Sequence, residues 1–351
     1  MLSCLRSGLT LKQILSHLVG SWLGENEPGR VSTPVLFLNR SEVTKNLDPR
    51  PLVELLGDAF QEHSSRNDRS SAGLDFRFEG GSLSCSGIGV TPHIPAYTMK
   101  LEGKLPAMAP SISGLIHLYD RATGRLLALL ESSHISAVGS ALTAALATDL
   151  MAAPTARRLA VVGTGTQAWL VVRFLMEMRH LEQVTLFDLV RKRSRRMAER
   201  LVKYDGVEVK VADALTETVA NADIILCATW SKTPFLFSEM VLPGAHITTL
   251  GSDERGKKEL SAELLKSSTF YCDDRDLAAI KGPLHGIKGA ADLIAAELGE
   301  VLGGVVQPRS TNEEITIYGP VGLPFQDLIA AWATYQKALA RQQGQSILHL
   351  T

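Results

Sequence analysis

The run Leu159-Ala-Val-Val-Gly-Thr-Gly-Thr-Gln-Ala168 has the residue types and spacing to hold a dinucleotide. An apolar stretch enters a G-x-G-x-x-A turn and leaves as a helix that begins Trp169-Leu-Val-Val172. Gly163 permits the tight turn, Gly165 lets backbone approach a pyrophosphate, and Ala168 is small enough for close packing of helix on strand. Thr164, Gly165, Thr166 and Gln167 should then surround the phosphates at the helix N-terminus. A second β-like run, Val184-Thr-Leu-Phe-Asp188, ends in an acid 25 positions beyond Gly163, placed to accept adenosine ribose hydroxyls. Asp188 favours NAD. Arg191, Lys192 and Arg193 follow closely and could meet the 2′-phosphate of NADP, or form a solvated basic helix face.

Such a turn needs a sheet behind it. Strand-like runs at residues 159–162, 184–188, 207–211, 223–228, 246–250 and 269–271 alternate with helix-like segments, the pattern of an α/β, Rossmann-type, doubly wound parallel sheet. Residues 314–318 are strand-like after a loop-rich stretch through Val306, and residues 325–338 have helical apolar spacing. Ahead of the turn the pattern is strand-rich and α+β. Residues 115–119 and 126–130 flank Asp120-Arg-Ala-Thr-Gly124 as a hairpin, and an Ala-rich helix spans 140–151. The expected organisation is an extension at 1–34, a substrate domain at 35–139, a dinucleotide domain at 140–312, and a segment at 313–351 that returns to the first domain.

The chain has 351 residues, 45% of them hydrophobic, enough to bury the cores of two domains. Its 36 Lys and Arg balance 37 Asp and Glu, which points to a small-molecule partner and away from nucleic acid. Cys4, Cys85, Cys227 and Cys272 form no C-x-x-C pair, a usage that suits a reducing cytoplasm. The amphipathic stretch at residues 9–20 is expected to be a packed extension or an upstream start, because its apolar run is interrupted and no cleavage site follows. No run of about 18 apolar residues supports a membrane span. His93, His117, His134 and His285 lack metal-ligand spacing, so no metal is expected; His93 could line a pocket.

Seven separated blocks give this chain its resemblance to the ornithine cyclodeaminase and mu-crystallin superfamily. They are Pro95-Ala-Tyr-Thr-Met-Lys100, residues 118–128, the glycine turn 163–168, Pro243-Gly-Ala-His-Ile247, residues 251–260, Glu297-Leu-Gly-Glu300 and residues 318–327. The resemblance runs from about Pro34 to Lys337. It implies hydride exchange between a nicotinamide and a C–N bond of an amino-acid-like substrate, and a homodimer built through the first domain. It places Lys100 beside the substrate, where an ammonium could orient a carboxylate or, with a lowered pKa, exchange a proton. Asp253 matches an aspartate of the family's cyclodeaminases and could stabilise an iminium or move a proton. Ser111, Thr229, Thr249, Leu250 and Lys257 match positions that line the cofactor.

One departure bears on the substrate. The resemblance leads to an arginine for a substrate carboxylate in the run Ser136-Ala-Val-Gly-Ser-Ala-Leu142, yet Gly139 stands there. A glycine cannot replace a bidentate guanidinium. Either Arg69, Arg77 or Lys104 serves the carboxylate, or the substrate is unlike ornithine and alanine. The expected activity is ketimine reduction or reductive amination with NAD, or with NADP. The alternatives are an ornithine-cyclodeaminase-type ammonia lyase and a crystallin-like binding protein without catalysis.

Overall fold

A computed structural model describes residues 34–66 and 73–347. The chain divides into two compact units, and the smaller, Met1–Val35 with Ser346–Thr351, lies almost wholly outside the described residues. The amphipathic stretch 9–20 therefore falls outside them. The larger unit, Leu36–Gln345, contains the strands discussed below except for Val35 at the start of the first.

The first sheet has strands β1 (Val35–Leu38), β2 (Leu74–Phe78), β3 (Gly81–Cys85), β4 (Ala96–Lys104), β5 (Ile112–Asp120) and β6 (Leu126–Glu131), running side by side as β1-β6-β5-β4-β3-β2. The expected hairpin is β5–β6. Asp120 Oδ1 accepts the N–H groups of Ala122 and Thr123 at 3.0 and 2.7 Å, and Gly124 adopts a φ of +70°, so the turn closes on its own side chain. In β4 the side chains alternate between the two faces. Ala96, Thr98 and Glu102 are buried, whereas Met99 and Leu101 are exposed. Lys100, Glu102 and Lys104 thus share the inner face. The outer face is apolar and continues through Leu83 and Phe76, which pair toward β4.

The second sheet is parallel throughout: β7 (Arg158–Val162), β8 (Gln183–Phe187), β9 (Glu208–Val211), β10 (Ile224–Cys227), β11 (His246–Thr249), β12 (Thr269–Cys272), β13 (Ile294–Glu297) and β14 (Thr316–Tyr318). Their order is β13-β12-β14-β11-β10-β7-β8-β9. Strand order reverses between β7 and β10, the switch point where such folds bind ligands beyond the strand C-termini. Every residue of β10 is buried, which explains its unbroken apolar sequence. Cys227 and Cys272 lie inside these strands, where burial pushes both thiols up and leaves them inert.

One strand differs from the sequence reading. The stretch through Val306 was expected to be loop-rich, yet it contains β13 and the short helix Leu298–Leu302. Ile294-Ala-Ala-Glu297 has one β-branched residue, and its strand form comes from pairing with β12.

Two helices bring the sheets together. Ser132–Met151 begins where Glu131 accepts the N–H groups of Ser133 and His134, runs through position 139, and packs on the glycine-turn helix Thr166–Met178. The terminal helix Pro324–Ala340 carries Pro324 in its first turn, where no N–H is needed, and packs on both Ser132–Met151 and β4.

Candidate active site

Lys100 stands on the inner face of β4 with its Nζ 2.8 Å from Asp327 Oδ2, 2.9 Å from Ser136 Oγ and 3.6 Å from Glu102 Oε2. Ser136 accepts from the ammonium and donates its own proton to Asp327 Oδ1 at 2.8 Å. The strand contributes Lys100 and Glu102, the connecting helix Ser136 and the terminal helix Asp327. Burial alone would pull the lysine pKa down, but the Asp327 and Glu102 carboxylates outweigh it and the net direction is up. That direction is opposite to the lowered pKa that a proton-exchange role would use.

A second cluster surrounds Asp253, in the loop after β11. Lys104 Nζ lies 2.9 Å from its Oδ2 and Lys257 Nζ 2.9 Å from its Oδ1. Lys257 also pairs with Glu254 at 2.8 Å and sits over the Trp230 ring, 4.2 Å from its centroid. Burial of Asp253 opposes its charge, yet two ammonium groups hold its carboxyl far below the usual range. The Asp253 charge in turn pushes Lys104 well up. The arrangement keeps a carboxylate ionised at every ordinary pH and ready to face a positive charge.

The dinucleotide side is built on backbone. Gly163 has a φ of +86°, and a Cβ there would come within 2.5 Å of the Ala228 carbonyl oxygen, so only glycine fits. In front of Gly165 nothing lies within 4 Å of an added Cβ, and the helix it caps has no side chain on its first N–H groups. That open, uncapped N-terminus fits a diphosphate. Asp188 Oδ2 accepts the N–H and hydroxyl of Thr164 at 2.9 and 3.2 Å, and Oδ1 accepts Val190 N–H at 2.9 Å, which fixes the carboxylate at the end of β8. Arg191 pairs with Asp213, and Lys192 and Arg193 are exposed.

Two buried acids hold the loops at the switch point. Glu259 accepts Thr229 N–H and hydroxyl on Oε1 at 2.7 and 2.8 Å, and Thr249 hydroxyl and Gly251 N–H on Oε2 at 2.8 and 2.9 Å. Burial pushes its pKa up against these donors. Asp273, at the end of β12, accepts Val321 N–H at 3.1 and 3.0 Å and Gly322 N–H at 2.6 Å. Burial dominates there too, pushing the carboxyl to about 6.

Between the two sheets lies a cavity of about 310 Å³. Lys100, Glu102, Lys104 and Asp327 line one side, and Asp253, Glu254 and Lys257 the other.

The model of the ornithine cyclodeaminase/mu-crystallin family matches residues 97–342. The chain belongs to this family. Ketimine reductase mu-crystallin of Mus musculus is 32% identical over 244 residues, covering 68% of this chain and 75% of that protein. The structure of Thermococcus litoralis Delta(1)-pyrroline-2-carboxylate reductase in complex with NADH and L-proline matches with a TM-score of 0.80 at 26% identity, over 89% of this chain and 100% of that one. An archaeal alanine dehydrogenase dimer with bound NAD shares the fold with a TM-score of 0.84 at 24% identity, over 91% of this chain and 100% of that one.

In this member of the ornithine cyclodeaminase/mu-crystallin family, Gln167, Thr229 and Leu250 border the cavity together with the two lysine clusters. The turn residues Gly163, Thr164, Gly165 and Thr166, with Asp188, lie outside its lining. Four other expected residues also lie outside the lining. Arg77 lies on β2, whose residues are all exposed, and donates to the Arg255 carbonyl instead of reaching the cavity. Ser111 lies in the β4–β5 connection, where its carbonyl accepts Leu105 N–H at 2.7 Å. Thr249 is fully buried and turned toward Glu259. His93 is exposed and away from the lining. Arg69 lies outside the described residues. Glu102, Ser136, Asp327 and Glu259 were not singled out from sequence. The alternation Lys100-x-Glu102-x-Lys104 could have placed Glu102, because a strand puts those three on one face.

Proposed function

We propose that this chain reduces the C=N bond of an imine with a nicotinamide cofactor. The observation that carries the reading is the cavity itself, where Lys100 and Asp253 are held as fixed charges beside residues that border the dinucleotide turn. The open helix N-terminus at Gly165 would hold the diphosphate and Asp188 the adenosine ribose, which supports NAD over NADP. When bound, the nicotinamide supplies the hydride.

The chain's own groups set up the other half of the reaction. The pKa of Lys100 and that of Lys104 are pushed up, and that of Asp253 is pushed down, so none of the three exchanges protons near neutrality. In this reading the imine is taken up already protonated, as an iminium. Asp253 and Asp327 stabilise that charge, and hydride addition at carbon gives the amine.

The exposed apolar face of the first sheet supports assembly as a homodimer. Phe76, Leu83, Met99 and Leu101 are 65, 44, 38 and 51% exposed, a contiguous patch of the kind that marks an interface. Cysteine usage supports a cytoplasmic setting. Among the described residues no helix is long and apolar enough to cross a membrane.

The test is oxidation of NADH and NADPH across cyclic imines, and across keto acids with ammonia, using the wild type, Lys100→Met and Asp253→Asn. Turnover in the wild type that both variants lose is the expected result. Dinucleotide binding without oxidation on any substrate would defeat the reading.

A further inference from the structure

An ammonium group has three N–H bonds to give, and the lysines that line the cavity differ in how many they have left. Lys100 directs its own at Asp327 and Ser136, 2.8 and 2.9 Å away, with Glu102 at 3.6 Å. Lys257 is held by Asp253 and Glu254, at 2.9 and 2.8 Å, and by the Trp230 ring. Lys104 bonds a single group among the described residues, Asp253 Oδ2 at 2.9 Å. It keeps N–H bonds unspent on a side chain that is only 16% exposed.

The place of Lys104 makes those donors useful. It ends β4, between Ser82 on β3 and Ile112 on β5, so its backbone is fixed on both sides while its side chain lines the cavity. Asp253 does not depend on Lys104 alone, since Lys257 holds its other oxygen. Lys104 can therefore turn one N–H bond to a ligand and keep another on Asp253. The pair then offers a positive and a negative charge side by side, 2.9 Å apart. An iminium whose own carbon carries a carboxylate offers the same two charges in the opposite order, on neighbouring groups. Lys281 also has a single ion-pair partner, but that partner is Asp75 on the edge strand β2, not the carboxylate assigned to the nitrogen. Arg77, a guanidinium expected to compete for this role, donates to the Arg255 carbonyl.

We infer that Lys104 recognises the carboxylate of the substrate, gripping it while Asp253, bonded to the same ammonium, faces the iminium nitrogen. This rests on the imine-reductase reading and adds a specificity-determining residue to it. Both contacts are charge-assisted hydrogen bonds, and their fixed separation reads the spacing of the two groups on the ligand. Lys100 ties β4 to the terminal helix through Asp327, and Lys104 stands further along the same inner face. The Asp253 charge pushes the Lys104 pKa up, so the ammonium persists through the neutral range. A ligand that lacks the carboxylate forgoes this contact, so discrimination between the two kinds of imine is the property that Lys104 controls.

The experiment uses the intact protein under saturating NADH and two ring-matched substrates, piperideine carboxylate and piperideine. The quantity read is the ratio of their kcat/KM values, because a purely structural fault lowers both together and leaves the ratio alone. The variants are Lys104→Met, Lys104→Gln and the conservative Lys104→Arg. Arg69→Gln serves as the control for the other cation expected to meet a carboxylate, and each variant is checked by thermal unfolding and dinucleotide binding. Loss of one charge-assisted contact should lower the ratio by about tenfold to a hundredfold in Lys104→Met, or in Lys104→Gln if methionine does not fold there. The loss should fall chiefly on KM for the carboxylate, and Lys104→Arg should recover most of it. A ratio that is unchanged in the neutral variants, or that falls only in Arg69→Gln, overturns the inference and leaves the reductase reading intact. Turnover of neither imine by the wild type overturns the reductase reading, and calorimetry of pipecolate with the oxidised cofactor then decides the inference. Affinity lost by about tenfold or more in the neutral variants upholds it, and pipecolate binding that is absent or unaffected overturns it.

Discussion

Replacing Asp273 with asparagine should change how stability depends on pH by an amount that the structure sets. The carboxyl is 1% exposed and accepts the N–H groups of Val321 and Gly322, yet burial moves it from 3.8 to about 6. A carboxyl whose pKa is raised on folding binds its proton more tightly in the folded state. The folded state is therefore penalised for ionising it: the cost is absent below the unfolded value, grows as pH rises from 3.8 toward 6, and is complete above that. About 1.4 kcal/mol per pH unit over that interval gives about 3 kcal/mol. Asparagine keeps one acceptor oxygen for the loop and has nothing to ionise. It also loses charge-assisted hydrogen bonds worth about 1.5–3 kcal/mol, but that offset does not vary with pH above the transition. The readout is therefore the slope. Urea unfolding followed by tryptophan fluorescence should show the stability of Asp273→Asn, relative to wild type, improving by about 3 kcal/mol between about pH 4 and about pH 7. A difference that stays constant across that range would refute the assignment of a strained, ionised Asp273 at neutrality.

Three further outcomes can be checked directly. Gly139 is in the interior of helix Ser132–Met151, and an added Cβ would meet Gln326 atoms at an ordinary 3.8 Å, so Gly139→Ala should stabilise by about 0.5–1 kcal/mol and raise Tm; a lower Tm would show that the site needs the gap. Glu259→Gln would turn an amide NH2 toward one of the two backbone N–H groups of Thr229 and Gly251, costing about 1–3 kcal/mol in chemical denaturation, and an unchanged midpoint would contradict the assigned network. The raised pKa of Lys100 and that of Lys104, with the lowered one of Asp253, place their titrations outside the neutral range. For these groups the sign is fixed: Asp253 would lose charge only in strong acid and the lysines only in strong base. The log of kcat/KM should then show no inflection from them between about pH 6 and about pH 9, and a wild-type acid limb in that range that moves in Glu254→Gln, which alters the charge around Lys257 and Asp253, would count against this.

Much of the scaffold is legible because it obeys simple periodicities. The runs at Leu159 and Ile224 are continuously apolar because both faces of a parallel sheet are covered, and Gly163 announces a turn that no side chain could occupy. Ile294-Ala-Ala-Glu297 gives no such signal, since a strand of four residues is defined by its neighbour. The site divides in the same way. Lys100 and Asp253 sit in recognisable blocks, and Glu102 follows from strand alternation once β4 is assigned. Asp327 does not follow, because its pairing with Lys100 joins residues 227 positions apart. Arg77 shows the converse: a guanidinium carries the right chemistry wherever it stands, and only its bond to the Arg255 carbonyl shows where it is directed.

The pairing of Lys100 with Asp327 also sets an order of events during synthesis. When β4 has left the ribosome, the inner face of the first sheet presents Lys100 and Glu102 without the terminal helix that covers them. The whole parallel sheet, from Arg158 to Tyr318, must emerge before Asp327 can arrive. The dinucleotide half can therefore collapse while the first sheet is still waiting for its last helix, and the chemical centre is the final part of the larger unit to be assembled. A ribosome that stalls late, or a protease that clips ahead of Pro324, would leave a fragment with its dinucleotide turn built and Lys100 left with Glu102 alone of its two carboxylates.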